Sequence, residues 1–133
     1  MVNINIIRNF VAVYPQIRCW TNTKRKNMKP STQIIINDIS RLKAKTLPKD
    51  GRLILFGSQA RGDARAESDW DLLMLFNKER LEQGDFATYA YPFVELGLSY
   101  GEYFSVKQYT FKEWEKRKGT PFYKNVTKDG IVI

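Results

Sequence analysis

The chain has 133 residues, enough for one domain with a modest core, and its apolar (43%) and charged (27%) fractions are ordinary for a globular protein. It has no histidine, which excludes histidine-based acid–base catalysis and histidine metal ligation, and its single cysteine, Cys19, excludes an intrachain disulfide framework and fits a cytoplasmic location. The net charge is +8, but +5 of it belongs to residues 1–27, so the total is poor support for a nucleic-acid partner.

Residues 1–27 are predicted to be an N-terminal extension outside the domain. Their apolar run is interrupted by asparagine and arginine and stopped by Pro15, so it is too short and too broken for a membrane span. It also lacks the clean apolar core and small-residue cleavage site of a signal peptide. Met28 is a candidate translation start, although an extension that packs on the domain or on a partner is the open alternative.

The first half of the domain is predicted to contain one helix and two strands. Ser31 and Thr32 are good N-caps, and apolar residues at helical spacing predict an amphipathic helix from Thr32 to Lys45. A turn at residues 47–51 leads into an apolar strand over Arg52–Phe56. A second apolar strand is predicted over Leu72–Phe76, and the helix is expected to cover one face of the sheet.

The second half is predicted to add a strand between helical segments. Residues 79–98 have an apolar helical face that Pro92 should kink or divide. Alternating β-forming residues predict a third strand over Tyr103–Tyr109. A capping box at Thr110 opens a helix through Arg117, and residues 122–126 are predicted to form one further helical turn. These elements predict an α/β (α+β) domain: a small mixed β-sheet with helices mainly on one face.

The Gly-Ser turn, Gly57-Ser58, directly follows the first strand, and the acid pair, Asp69 and Asp71, opens the second. Alternation along a strand puts both carboxylates on one side, where they can hold Mg²⁺, a cation that takes one or two carboxylates plus phosphate oxygens and water. Gly57 permits a tight turn and close approach of a ligand, and Ser58 can open a short helix through Ala64 that offers its hydroxyl and N–H groups to phosphate. The alternative is an ordinary turn whose acids face water.

Together with Arg61-Gly62 and Leu72, these motifs resemble the signature of the minimal nucleotidyltransferases, a branch of the DNA polymerase beta-like superfamily. The resemblance covers roughly Lys29 to Thr110, so we place the domain at residues 28–133. It implies a nucleoside triphosphate over the Gly-Ser turn, Mg²⁺ on the acid pair, and transfer of a nucleoside monophosphate to an acceptor hydroxyl. Arg61 can reach the triphosphate, although a loop arginine that is merely solvated is the alternative.

The resemblance also implies a third carboxylate on the third strand, but Ser105 stands at its usual place. The nearest acid is Glu102, which on a regular strand would face away from Ser105, and which could reach the metal if residues 101–103 belong to the turn. We keep Glu102 as a candidate catalytic residue, with a solvated strand-edge acid as its alternative. Lys107 shares the face of Ser105 and can offset phosphate charge, unless it is simply an exposed edge lysine.

Three functions follow from these observations. The first is a Mg²⁺-dependent nucleotidyltransferase, and the resemblance further implies a helical partner protein in a toxin–antitoxin pair, with no membrane. The second, favoured by Ser105, is a catalytically degenerate nucleotide-binding or regulatory antitoxin module. The third is nucleic-acid binding through residues 1–27, whose aromatic residues are few and form no defined module.

Overall fold

The computed structural model of the protein describes residues 30–133. The predictions made for residues 1–27, for Cys19 and for a beginning at Met28 lie outside this range. The described elements are α1 (Pro30–Thr46), β1 (Arg52–Phe56), α2 (Gly57–Arg61), β2 (Trp70–Phe76), a π-helical segment (Phe86–Ala90), α3 (Tyr91–Ser99), β3 (Phe104–Thr110), α4 (Phe111–Lys116), α5 (Pro121–Asp129) and β4 (Ile131–Val132).

The strands form a four-stranded mixed sheet in the order β3-β2-β1-β4. β1 is antiparallel to both β2 and β4, whereas β2 and β3 are parallel. Phe56, at the end of β1, pairs with Asp71 at the start of β2, and Asp71 pairs with Ser105 at the start of β3. One end of the sheet therefore collects the segments that carry the sequence motifs.

The two faces of the sheet are covered unequally. The larger core contains Trp70, Leu72 and Met74 of β2 and packs with residues of α1 and α3. Leu73 and Leu75 point to the other face, into a smaller core shared with aromatic and apolar residues of α4 and α5. Each fully buried leucine contributes roughly 1.5–3 kcal/mol to stability. The predicted α/β class and the mixed sheet are confirmed, but the second face is not bare, because two short helices pack on it.

Several boundaries differ from the predictions for local reasons. The helix after β1 ends at Arg61, not Ala64, because Gly62 adopts a left-handed conformation (φ 82°) and donates its N–H to the Ser58 carbonyl. Residues 79–84 are not helical, and Pro92 lies in the first turn of α3, so the helical region begins later than predicted and divides near this proline. The capping box is confirmed: the Thr110 hydroxyl accepts from the Glu113 N–H at 3.1 Å.

None of the helices in residues 30–133 combines the length with the apolar character that crossing a bilayer requires.

Candidate functional site

The centre of the site is a close contact between Gly57 and the side chain of Asp71. A Cβ atom added to Gly57 would lie 3.2 Å from Cγ of Asp71 and far inside van der Waals distance of its Oδ2. Gly57 also has a φ of 72°, in the left-handed region that only glycine adopts readily. The pairing of Phe56 with Asp71 produces this contact, because it brings the residue after β1 against the start of β2. Both the backbone and the available space therefore require glycine here.

The two members of the acid pair influence each other electrostatically. Asp71 is half-buried, whereas Asp69 is exposed just before β2 begins. Burial raises the pKa of the Asp71 carboxyl, and the neighbouring charge of Asp69 raises that pKa further. The two carboxylates are thus close enough to repel, and a divalent cation shared between them would relieve the repulsion.

Two cations lie near the acid pair. The ammonium of Lys107 and the guanidinium of Arg61 each act to lower the pKa of Asp71. Lys107 pairs with Leu73, two residues beyond Asp71 on the same face of the sheet. Arg61 lies at the edge, where its Nε donates to Asp63 Oδ2 at 3.2 Å and its Nη1 lies 3.5 Å from Asp129 Oδ2. This end of the sheet therefore mixes acids with positive charge, an arrangement suited to a metal-bound polyphosphate.

Serine residues, rather than a third acid, lie next to Asp71 and Gly57. Ser105 is the direct parallel-strand partner of Asp71, so its side chain lies on the same face beside the carboxylate. Ser58 follows Gly57, and its carbonyl accepts the N–H groups of Gly62 and Asp63 at 3.0 and 3.2 Å. Position 105, where the resemblance implies a third carboxylate, is thus adjacent to Asp71, and a serine occupies it.

Glu102 belongs to a different part of the surface. It lines a cavity of about 330 Å³ together with Trp70, whose side chain is on the opposite face of β2 from Asp71. The remaining lining residues come from the start of α1 and from the segment between the Gly-Ser turn and the acid pair. The structure therefore brings Glu102 together with Trp70 and not with Asp71, and its catalytic role stays a prediction that this placement does not favour.

The acid pair alone fits a magnesium ion held jointly with substrate. Mg²⁺ commonly takes one or two carboxylates and completes its octahedral shell with phosphate oxygens and water. Across residues 30–133, no group of three or more histidine, cysteine, aspartate or glutamate side chains is arranged to hold a metal. A cation here would consequently take several of its ligands from water or from a bound molecule.

Sequence reasoning missed two long-range features of the site. Asp129, at the end of α5, reaches Arg61 across 68 positions of sequence, and no local pattern signals that pair. The cavity beside Trp70 was also missed, because its lining residues come from separate segments of the chain. The buried Nε1 of Trp70 has no hydrogen-bond partner within the described part of the chain, but it lies outside the acid-pair site.

Comparison with known proteins identifies the family. The family model called nucleotidyltransferase domain matches residues 37–132 of the sequence, a range that includes the Gly-Ser turn, the acid pair and Ser105. Searches of the curated proteins and of the solved structures return no match. Nucleotidyltransferase domains act on nucleoside triphosphates and typically use a divalent metal, in agreement with the donor atoms described above. Because the family match covers well over half of the chain, the chain belongs to the nucleotidyltransferase domain family.

Proposed function

We propose that the protein is a Mg²⁺-dependent nucleotidyltransferase that moves a nucleoside monophosphate from a nucleoside triphosphate to an acceptor hydroxyl. Membership of the family supports nucleotidyl transfer in general. The observation that carries the specific proposal is the Asp71 carboxylate packed against the α-carbon of Gly57, with the charge of Asp69 close by. A phosphate that approaches over this glycine meets both acids at once.

Each residue of the site has a distinct part in the proposal. Asp69 and Asp71 would hold the metal, and bound Mg²⁺ would supply charge neutralisation at the reacting phosphate and the leaving pyrophosphate. Gly57 leaves room for the Asp71 carboxylate because it has no side chain, and the Ser58 hydroxyl can donate to a phosphate oxygen. Arg61 is proposed to contact the triphosphate from the edge of the site, where it also meets Asp129.

Electrostatics explains why the metal is needed for binding as well as for chemistry. Two unit charges about 5 Å apart interact by roughly 3 kcal/mol at an effective dielectric constant near 20. The acid pair alone would therefore repel a triphosphate, and the single charges of Lys107 and Arg61 would do little more than balance it. A divalent cation reverses the sign of this interaction, so nucleotide and metal should bind together.

The acceptor is proposed to be a side-chain hydroxyl of a helical partner protein, as in toxin–antitoxin pairs. The support is the resemblance of the motifs, together with the small size of the domain, which leaves a partner to complete the nucleotide pocket. The protein is proposed to act in the cytoplasm, which agrees with its single cysteine.

A second candidate function is nucleotide binding without turnover. The observation that favours it is Ser105, which occupies the place beside Asp71 where the family's pattern has an acid. Losing a metal-ligating group that stabilises the transition state costs several kcal/mol, on the scale of a removed oxyanion donor at about 3–4 kcal/mol. A site with two acids could therefore retain nucleotide affinity while transferring slowly or not at all.

The test is incubation of the full chain with Mg²⁺ and labelled ATP, GTP, CTP or UTP, with and without the product of the neighbouring gene. We expect label transfer that is lost in Asp69→Asn and Asp71→Asn. Asp50→Asn is the matched control, because Asp50 precedes β1 at the opposite end of the strand and its Oδ2 accepts from Asn77.

The possible results separate the two candidates. Nucleotide binding that depends on the acid pair, without transfer to any acceptor, would favour the binding module. Transfer that survives both asparagine substitutions would contradict the proposed site.

A further inference from the structure

We propose that Ser105 is itself an acceptor, so that the protein, when no other acceptor is bound, transfers a nucleoside monophosphate to its own Ser105 hydroxyl. This inference rests on the proposed function, because it uses the same nucleotide and the same acid pair. It adds a modification site and identifies the chemical class of one acceptor as a serine of the sheet.

The register of the sheet positions this hydroxyl. Asp71 and Ser105 are paired residues of adjacent parallel strands, and neighbouring strands lie about 4.8 Å apart. Their side chains therefore stand side by side on one face. A phosphate bound at the acid pair would lie within a short distance of the Ser105 oxygen, and near-attack geometry requires a separation of about 3–3.5 Å. β3 is an edge strand of the sheet and Ser105 is half-buried, so the hydroxyl is accessible to a ligand over this face.

The Ser105 hydroxyl is also not engaged elsewhere. Within residues 30–133 the structure gives its Oγ no hydrogen-bond partner. By contrast, Ser68 Oγ accepts from the Arg65 N–H at 2.8 Å, and Ser99 Oγ donates to the Leu96 carbonyl at 2.6 Å. A hydroxyl without a structural hydrogen bond can turn toward a phosphorus atom at no cost to the fold.

The reaction is an ordinary phosphoryl-centre displacement. Ser105 Oγ attacks the α-phosphorus, an O–P bond forms, and the bond from that phosphorus to the bridging oxygen of the β-phosphate breaks. Pyrophosphate leaves with the bonding electron pair, and the hydroxyl proton passes to water. Lys107, two residues along the same face, brings an ammonium group near the charge on the reacting phosphate.

Modification of Ser105 would limit the protein's own activity. The attached nucleotide would remain over the acid pair and occupy the space that the next triphosphate requires. A partner that supplies a better-placed hydroxyl would compete with Ser105 for the same phosphate, so self-modification is expected to fall when such an acceptor is present.

The experiment is intact-protein mass spectrometry of the full chain after incubation with Mg²⁺ and each nucleoside triphosphate, followed by peptide mapping. We expect a mass increase of one nucleoside monophosphate, mapped to Ser105, that is lost in Ser105→Ala and in Asp71→Asn. Ser99→Ala is the control, because this exposed serine at the end of α3 is not part of the site, and it should remain labelled. Urea unfolding should show that Ser105→Ala remains folded, so that the loss of label is not a loss of structure.

Pyrophosphate release, measured in parallel, distinguishes this inference from the proposed function. Release that depends on the acid pair while Ser105 stays unmodified would overturn the inference and leave the proposed function standing. Label mapped instead to Ser58, or to Tyr103, which precedes β3 and is 60% exposed, would equally overturn the choice of Ser105. If neither nucleotide binding nor pyrophosphate release depends on the acid pair, both proposals are wrong.

Discussion

The contact between Gly57 and Asp71 makes Gly57→Ala the most direct test of the site. The added methyl group would occupy the place of the Asp71 carboxylate, since it would lie 3.4 Å from Cβ, 3.2 Å from Cγ and far closer to Oδ2. Unstrained van der Waals contacts between heavy atoms are about 3.5 Å, so the Asp71 carboxylate must shift by roughly 1 Å or more. The substitution should therefore move a proposed metal ligand without removing it.

The expected cost has two parts. An alanine held at a φ of 72° costs about 1–2 kcal/mol of stability, because its Cβ crowds the backbone carbonyl. The displaced carboxylate affects function more strongly, since a misplacement of about 1 Å at a reacting centre can lower the rate by roughly 100-fold. We expect a modest loss of stability and a large loss of Mg²⁺-dependent nucleotide binding and transfer.

Gly119→Ala is the matched control for backbone strain. Gly119 also has a positive φ, 93°, but a Cβ there would meet nothing within 4 Å. Both variants should show similar shifts in urea unfolding followed by tryptophan fluorescence, and only Gly57→Ala should lose nucleotide binding by calorimetry. If Gly57→Ala binds nucleotide as well as Gly119→Ala does, the Asp71 carboxylate cannot lie against Gly57 and the proposed site is wrong.

Three further changes test the charges of the fold. The pKa of Asp71 is raised in the folded protein, so the ionised carboxylate destabilises the fold above that pKa, and this destabilisation disappears as the pH falls toward about 4. Asp71→Asn should therefore raise the urea midpoint near neutral pH and leave it little changed near pH 4. Ser105→Asp should lower the melting temperature in EDTA, because a third carboxylate about 5 Å from Asp71 adds roughly 3 kcal/mol of repulsion at an effective dielectric constant near 20. Added Mg²⁺ should raise the melting temperature of this variant by more than it raises that of the wild type. Asp85 Oδ2 accepts the Glu82 N–H at 2.7 Å and the Lys78 ammonium at 2.8 Å, which lower its pKa, so its stabilisation is present above about pH 3.9 and is lost as the pH falls through the folded pKa. Asp85→Asn should cost about 1–3 kcal/mol in urea unfolding near neutral pH and weaken the acid sensitivity, and an unchanged midpoint would contradict the assignment.

Much of the fold could be predicted because its signals are local. The apolar spacing that predicted a helix over Thr32–Lys45 corresponds to α1, and the run Arg52–Phe56 is β1 as predicted. The capping box at Thr110 depends on residues three positions apart, so the sequence alone was enough to find it. The Gly-Ser turn and the acid pair likewise lie within one short stretch, and the family match includes both.

The rest depended on contacts between distant parts of the chain. The sequence left open whether Glu102 reaches the metal or is a solvated acid at the strand edge, because this depends on how the segment before β3 folds. The structure places Glu102 in the cavity that Trp70 also lines. The pairing of Asp71 with Ser105 depends on the register between two strands joined by a long connection, and a shift by one residue would reverse the faces. The family pattern indicated position 105, but only the register shows how close its side chain is to the acid pair.

The electrostatic state of the site itself points to a function. Asp71 is partly buried beside a glycine and near a second acid, a placement that raises its pKa and costs stability in the free protein. A fold with no use for this carboxylate would gain stability from a neutral residue there, and such unfavourable ionisable groups occur often at active sites. With an aspartate at position 105 the free protein would carry still more repulsion, and Ser105 avoids that cost. Ser105 also puts a hydroxyl beside the acid pair, which is why both the degenerate-site alternative and the self-modification proposal depend on this one residue.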